Sequence, residues 1–253
     1  MTTPIISVTD LRKRYGEIEA VRGISFTVAE GEVFGLLGPN GAGKTTTVEI
    51  LEGLRNADSG TASVAGIDVA RDPTGVKRRI GVQLQASAFP EHYTTKEVVE
   101  LFGIFYDRTV DALALLRQVD LADRASQRQE KLSGGQRQRL SIAVALVNEP
   151  RVIFLDEPTT GLDPQARRNL WALVQSIRDR GITVLLTTHY LDEAEVLCDR
   201  VAIIDEGRIR ALAPPRTLIA DLLGRGFTKP VLQQQANLED VFLDLTGHEL
   251  RED

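Results

Sequence analysis

Val33-Phe34-Gly35-Leu36-Leu37-Gly38-Pro39-Asn40-Gly41-Ala42-Gly43-Lys44-Thr45 is the stretch on which the fold turns. It opens as a continuous apolar run, the pattern of a strand covered on both faces. It then passes into G-x-x-x-x-G-K-[ST], complete from Gly38 to Thr45, and residues Lys44 to Leu54 read as a helix. Glycines in such a loop let backbone N–H groups approach phosphate oxygens with no Cβ in the way, and the helix start adds partial positive charge. Lys44 is placed to reach the β- and γ-phosphates, and the Thr45 hydroxyl to ligate Mg²⁺. Gly38, Pro39, Asn40, Gly41, Ala42, Gly43, Lys44, Thr45 and Thr46 are therefore expected to bind a nucleotide.

The neighbouring segments repeat the logic of buried strands joined by helices. Val152-Ile153-Phe154-Leu155 and Ile182-Thr183-Val184-Leu185-Leu186 are apolar and β-branched. Between them, Pro164 to Arg180 reads as a helix with Asp163 as N-cap, Pro164 in its first turn and Gly181 past its end. Leu170, Leu173, Val174 and Ile177 give that helix an apolar stripe. Such alternation implies a parallel sheet with right-handed crossovers. Arg200 to Ile204 adds a further strand ending in a turn at Glu206-Gly207. Upstream, Ile5 to Val8, Ala20-Val21 and Ile24 to Val28 read as short half-buried strands. From about residue 86 to 150 the pattern is mainly helical, and five of the 12 Phe and Tyr residues lie there: Phe89, Tyr93, Phe102, Phe105 and Tyr106. That concentration suggests a helical subdomain with its own small core, with Phe102, Phe105 and Tyr106 inside it.

Two further motifs carry chemistry. Asp156 and Glu157 close an apolar strand, where α/β sheets present ligands. One carboxylate there can hold Mg²⁺ through its waters while the other orients or deprotonates an attacking water. Neighbouring strand residues point to opposite sides, so Asp156 is expected on the metal side and Glu157 as the base. Leu132-Ser133-Gly134-Gly135-Gln136 precedes the apolar stretch Leu140 to Val147, which reads as a buried helix with Ser133 as its N-cap. Its start is a second anion-seeking helix end in one chain.

Composition narrows the classes. The chain has 253 residues, 42% hydrophobic and 26% charged, as a globular protein does. A net charge of −6 and no basic tail leave nothing that announces nucleic acid. The single cysteine, Cys198, excludes an internal disulfide framework and fits a reducing compartment. No secretory pattern is visible at Met1-Thr2-Thr3-Pro4, and no apolar run approaches the ~18 residues that span a bilayer. Membrane work is expected to pass through a partner.

Glycine loop at 38–45, Leu132 to Gln136, and acidic strand end at 152–157, in that order, resemble the nucleotide-binding domain of ATP-binding-cassette (ABC) transporters. The resemblance covers nearly the whole chain. It implies an α/β P-loop core with a mostly parallel sheet, an N-terminal antiparallel β-subdomain and an inserted α-helical subdomain. The implied domain runs over 4–227, with 86–150 inserted and 228–253 a short C-terminal extension. It further implies that ATP bound with Mg²⁺ is sandwiched between the phosphate loop of one copy and Ser133, Gly134, Gly135 and Gln136 of another. One loop and one such motif per chain suit a two-fold pair with two complete sites. By the same resemblance Tyr15 stacks on adenine, and Gly161-Leu162-Asp163 is the loop through which the copies sense each other. His189 contacts the γ-phosphate, and a glutamine at the end of Ile80 to Gln85 links metal to transport. Gln83 and Gln85 both qualify; Gln85, at the strand end, is the choice. Ala86 to Tyr93, with Phe89 and Pro90, is expected to receive a membrane partner.

Thr45 to Leu54 and Leu238 to Leu243 resemble bacterial multidrug and antibiotic exporters of the daunorubicin-resistance type. The implied role is an ATPase subunit, cytoplasmic and peripheral on the inner face of the membrane, powering separate integral-membrane permease chains. The other class considered is a soluble cassette ATPase acting on ribosomes or nucleic acid. Such proteins tend to carry two cassettes or a long coiled-coil insertion, and neither appears here; the charge gives no help with nucleic acid either.

Overall fold

The protein is described from a computed structural model, covering residues 3–83 and 89–227. Strands β1 (Ile6–Tyr15) and β2 (Ile18–Val28) form an antiparallel hairpin. They are much longer than the short pieces their alternation suggests. Register shifts between Val8 and Leu11 and between Lys13 and Arg14 interrupt the two-residue period, so one strand reads as fragments. With β4 (Ser59–Val64) and β5 (Ile67–Asp68) they make a four-stranded sheet in the order β2-β1-β4-β5.

The second sheet holds β3 (Val33–Leu37), β6 (Ile80–Gln83), β7 (Val152–Asp156), β8 (Thr183–Thr188), β9 (Arg200–Asp205) and β10 (Arg208–Ala213). Their order is β10-β9-β3-β8-β7-β6, parallel throughout except for β10 against β9. β10 was not legible as a strand. Its sequence, Arg208-Ile209-Arg210-Ala211-Leu212-Ala213, slips register between Ile209 and Ala211 and so loses its alternation.

The eight α-helices of the described residues are α1 (Lys44–Leu51), α2 (Pro73–Lys77), α3 (Thr95–Phe105), α4 (Ala112–Gln118), α5 (Gly134–Ala145), α6 (Pro164–Asp179), α7 (Leu191–Leu197) and α8 (Pro215–Gly224). α1 stops short of the expected Leu54, with Glu52 as C-cap and Gly53 left-handed at φ +68°. α6 starts as expected, the Asp163 carboxylate accepting from Ala166 N–H at 2.7 Å.

The pleat of the parallel strands builds two cores, one on each face. Phe34, Leu36, Phe154 and Leu185 join the β-hairpin and α1 on one side. Val33, Leu37, Ile153, Leu155, Val184 and Leu186 join the helices on the other. This second core also takes in Val98, Val99, Ala112 and Leu116. The helical segment therefore shares the core of the sheet and has no small core of its own. Phe102 and Phe89 pack against it, but Phe105 is 67% and Tyr106 38% exposed, against expectation. The helical period would bury them; α3 ends there, Tyr106 caps it, and the chain turns at Asp107 (φ +53°), leaving both rings at the rim.

The chain divides into the unit Met1–Leu218 and the unit Ile219–Asp253. The described part of the latter is the remainder of α8 and the residues to 227. Among the described residues no helix is long and apolar enough to cross a membrane.

Candidate functional site

The carboxyl ends of β3, β8 and β7 lie side by side, and each delivers part of one site. The loop after β3 is shaped by close approach. A Cβ on Gly38 would stand 2.1 Å from the Ile204 carbonyl oxygen, and one on Gly43 2.3 Å from that of Ala20. Gly43 is also left-handed, φ +102°, as it leads into α1. A cavity of about 420 Å³ opens above this loop, bordered by Asn40, Gly41, Gly43, Lys44, Thr45 and Thr46, with Tyr15, Ala20 and Glu157. Gly38 and Pro39 contribute otherwise: their carbonyls accept from Lys44 Nζ at 2.8 and 3.1 Å. Ala42 is buried, its N–H donating to Pro39 O. Lys44 is 5% exposed, and burial pulls its ammonium below the ordinary lysine range, against the pull of Glu157 and Asp156.

Glu157 does not continue β7. The strand ends at Asp156, and Glu157 is left-handed at φ +47°, a conformation costing on the order of 1 kcal/mol for a residue with a Cβ. Its N–H is caught by the Thr187 hydroxyl at 3.0 Å and the Thr187 carbonyl at 3.2 Å. The expected divergence of the two carboxylates across a pleat is thus corrected: a turn separates them, and both lie close enough to Lys44 to act on its charge. Glu157 Oε1 stands 4.0 Å from Lys44 Nζ and 3.2 Å from His189 Nδ1. Asp156 Oδ1 accepts from the Thr187 hydroxyl, which joins the two acidic positions. Burial raises the Asp156 pKa; the Thr187 hydrogen bond opposes that rise. Just behind α1, Glu52 is 2% exposed and its carboxyl is pushed up to about 8 by burial, with Asp156 and Glu49 adding repulsion.

The arrangement brings together an ammonium, a glycine loop that opens α1, two carboxylates of different surroundings and an imidazole. Tyr15 borders it, 39% exposed, its ring 5.6 Å from Lys13 Nζ and 5.5 Å from the Arg55 guanidinium. Ser133, Gly134, Gly135 and Gln136 do not border this cavity. They open α5, where the Ser133 hydroxyl accepts from Gln136 N–H and the Gln136 side chain from Ser133 N–H, a reciprocal cap. A Cβ on Gly135 would lie 3.1 Å from Ala166 Cβ, so this helix start runs beside that of α6 with Asp163. Gly161 is left-handed at φ +76°.

Gln83 ends β6 fully buried, opposite Leu155 of β7. Gln85 lies outside the described residues, as do Ala86 to Ala88. Of the expected partner surface, Phe89 is half-buried with its ring edge-on to Phe102 at 6.3 Å, while Pro90 and Tyr93 are exposed. Thr187 was missed by sequence reasoning. Its signal is a pair of threonines ending the strand Val184-Leu185-Leu186, both fully buried.

Residues 21–160 match the family described as ABC transporter. The chain belongs to that family. The cassette is 38% identical to "Nod factor export ATP-binding protein I" of Burkholderia lata over 98% of both chains. It is 44% identical to "Daunorubicin resistance ATP-binding protein DrrA2" of Streptomyces coeruleorubidus, over 91% of this chain and 73% of that one. Among solved structures, it resembles a dimeric ATP-binding cassette in a post-hydrolysis state bound to ADP and Pi (TM-score 0.74, 28% identity, 83% of this chain and 99% of that one). It also resembles cbiO1 of Clostridium perfringens, part of the ABC transporter complex cbiONQ (TM-score 0.79, 27% identity, 86% and 91% covered). The cassette is thus an ATP-binding ATPase with the α/β fold of its family.

Proposed function

We propose that the cassette is the ATP-hydrolysing subunit of a membrane exporter, working as a head-to-tail pair of copies docked on separate integral-membrane permease chains. The observation that carries this is the incompleteness of the cavity: it is bordered by the phosphate loop and Glu157, with His189 beside that carboxylate, but none of Ser133 to Gln136 borders it. A second copy, placed by a two-fold axis, supplies that missing helix start and receives the same in return. The relatives named for export and drug resistance support the exporter reading.

In this reading the loop N–H groups and Lys44 bind the β- and γ-phosphates, and Tyr15 stacks on adenine beside Lys13 and Arg55. On ATP arrival Lys44 exchanges its carbonyl partners for phosphate oxygens. Glu157, braced by its turn and by Thr187, takes the proton of the attacking water, and His189 contacts the γ-phosphate. The donors suit Mg²⁺, a hard cation that keeps its waters: a threonine hydroxyl and one half-buried, hydrogen-bonded carboxylate fit it, and no all-protein cage of acidic and histidine ligands stands among the described residues. Thr45 and Asp156 would hold it with the nucleotide, Gln85 joining from the segment beyond β6. Bound there, it would neutralise charge on the phosphates. Asp163 leads α6 toward the facing copy. Binding closes the pair, hydrolysis lets it open, and the permease follows, which places the subunit on the cytoplasmic face of the membrane.

The cassette domain is assigned to 4–227, with 86–150 as its inserted helical part and 228–253 as an extension. Fractionation tests the exporter reading. The chain should co-purify with a permease from detergent-solubilised membranes and stay out of ribosome pellets. The reverse distribution would overturn it.

A further inference from the structure

α6 presents one face to the segment that follows His189. Asp163, Arg167 and Trp171 recur at every fourth position and so stack along the helix. The Arg167 guanidinium lies 4.6 Å from the Tyr190 ring centroid, with Nη1 3.5 Å from Asp192 Oδ2. One turn on, Trp171 Nε1 donates to Glu193 Oε1 at 3.3 Å. Glu193 is fully buried in the first turn of α7. A carboxylate in such a place needs partners. Among the described residues Trp171 is its one hydrogen-bond donor by geometry, Glu193 Oε2 and Thr159 Oγ1 making no hydrogen bond; the nearby hydroxyls of Thr188 and Thr159 and the charge of Arg167 nonetheless oppose the rise in pKa that burial causes. Thr159 follows Glu157 by two positions, and Thr188 directly precedes His189. The Thr188 hydroxyl also accepts from Tyr190 N–H at 3.0 Å. Three segments thus meet at one carboxylate: the acidic turn, the strand end that carries His189, and the helix led by Asp163.

We infer that Glu193 is a positioning residue: through its hydrogen bond to Trp171 it fixes His189 relative to α6, so that a shift of Gly161–Asp163 against the facing copy is passed to the imidazole beside Glu157. The inference rests on the proposed role of His189 at the γ-phosphate. α6 is a continuous 16-residue helix, so displacement at its start carries Arg167 and Trp171 with it. Those two side chains hold Tyr190, Asp192 and Glu193, the residues that follow His189. A purely structural Glu193 would only stabilise α7.

Steady-state ATP turnover and thermal melts of Trp171→Phe, Glu193→Ala and Glu193→Gln separate the two. Trp171→Phe and Glu193→Ala should lower kcat about tenfold, the scale of one lost charge-assisted hydrogen bond, with KM for ATP changed less than about twofold. Glu193→Gln keeps an oxygen for Trp171 and should recover most of the rate. Trp171 is the one tryptophan of the chain, so its emission reports on the link directly. In a Glu157→Gln background, ATP should shift that emission, and adding Glu193→Ala should abolish the shift while the pair still forms. Wild-type kcat in folded Trp171→Phe, or a loss that only follows the melting temperature, overturns the inference; Trp171→Phe serves alone if Glu193→Ala does not fold. His189→Ala measured alongside distinguishes the failures. If it turns over normally, the role of His189 falls and the link with it. If it is impaired while Trp171→Phe and Glu193→Ala are not, only the link falls.

Discussion

Nδ1 of His189 lies 3.2 Å from Oε1 of Glu157, although one residue follows β8 and the other follows β7. Lys44 approaches the same oxygen from the loop after β3, at 4.0 Å. A single carboxylate oxygen is therefore the meeting point of three strand ends. Its surroundings explain why a backbone strained at φ +47° is kept there: the turn aims the carboxylate at both the Lys44 ammonium and the His189 imidazole.

If Glu157 is the base, Glu157→Gln should bind ATP with near wild-type affinity and hydrolyse it at least about a hundredfold more slowly. Phosphate release and equilibrium nucleotide binding, measured on the same preparation, check both halves. Normal turnover removes the base role.

Thr187→Val keeps the shape of the side chain but removes the hydroxyl that serves both Asp156 and Glu157 N–H. Half-buried Asp156 then loses its hydroxyl donor and Glu157 N–H is left with the Thr187 carbonyl, which should cost about 1–3 kcal/mol of stability. Urea unfolding reads that loss. A parallel Mg²⁺ titration of ATPase activity should show a higher metal requirement, since the oxygen of Asp156 loses its fixed orientation.

Ser133→Arg should leave nucleotide binding to the single chain intact and abolish ATP-driven pairing in the Glu157→Gln background, as read by light scattering. Loss of the cap accounts for about 1 kcal/mol of stability and no more. Pairing that survives would count against the sandwich.

Glu52 makes a prediction about pH. Its folded pKa, about 8, is above the ordinary value of 4.5, so the folded state holds a proton that the unfolded chain has released. Stability contributed by this group is full below about pH 4.5, declines as pH rises through the interval to about 8, and is lost above it. Glu52→Gln, which imitates the protonated form, should flatten that decline and raise the melting temperature most at pH 8 and above. An unchanged pH slope would remove Glu52 as its source.

Much of this was legible because the chemistry needs local spacing. The loop from Gly38 to Thr45, the cap at Ser133 and the start of α6 at Asp163 are short-range devices, and each forms where its residues predict. What escaped was set by contacts across the chain. The register shifts of β1 depend on β2 and β4, and β10 is a strand only because β9 offers an edge. Phe105 and Tyr106 follow the apolar period of α3 but lie where the helix stops. Thr187 acquires its importance from Asp156, at the end of the neighbouring strand, and from Glu157 just beyond it, a relation no window of sequence contains.

The cavity and the helix start at Ser133 are separate parts of each chain, and that separation has a genetic meaning. Suppose one gene copy is broken at Lys44 and another at Ser133. Either alone yields pairs with two dead sites. Expressed together they yield mixed pairs, in which one site collects both lesions and the other is assembled entirely from sound parts. Hydrolysis should reappear in the mixture of two inactive proteins, which is the behaviour of alleles that complement within a single gene.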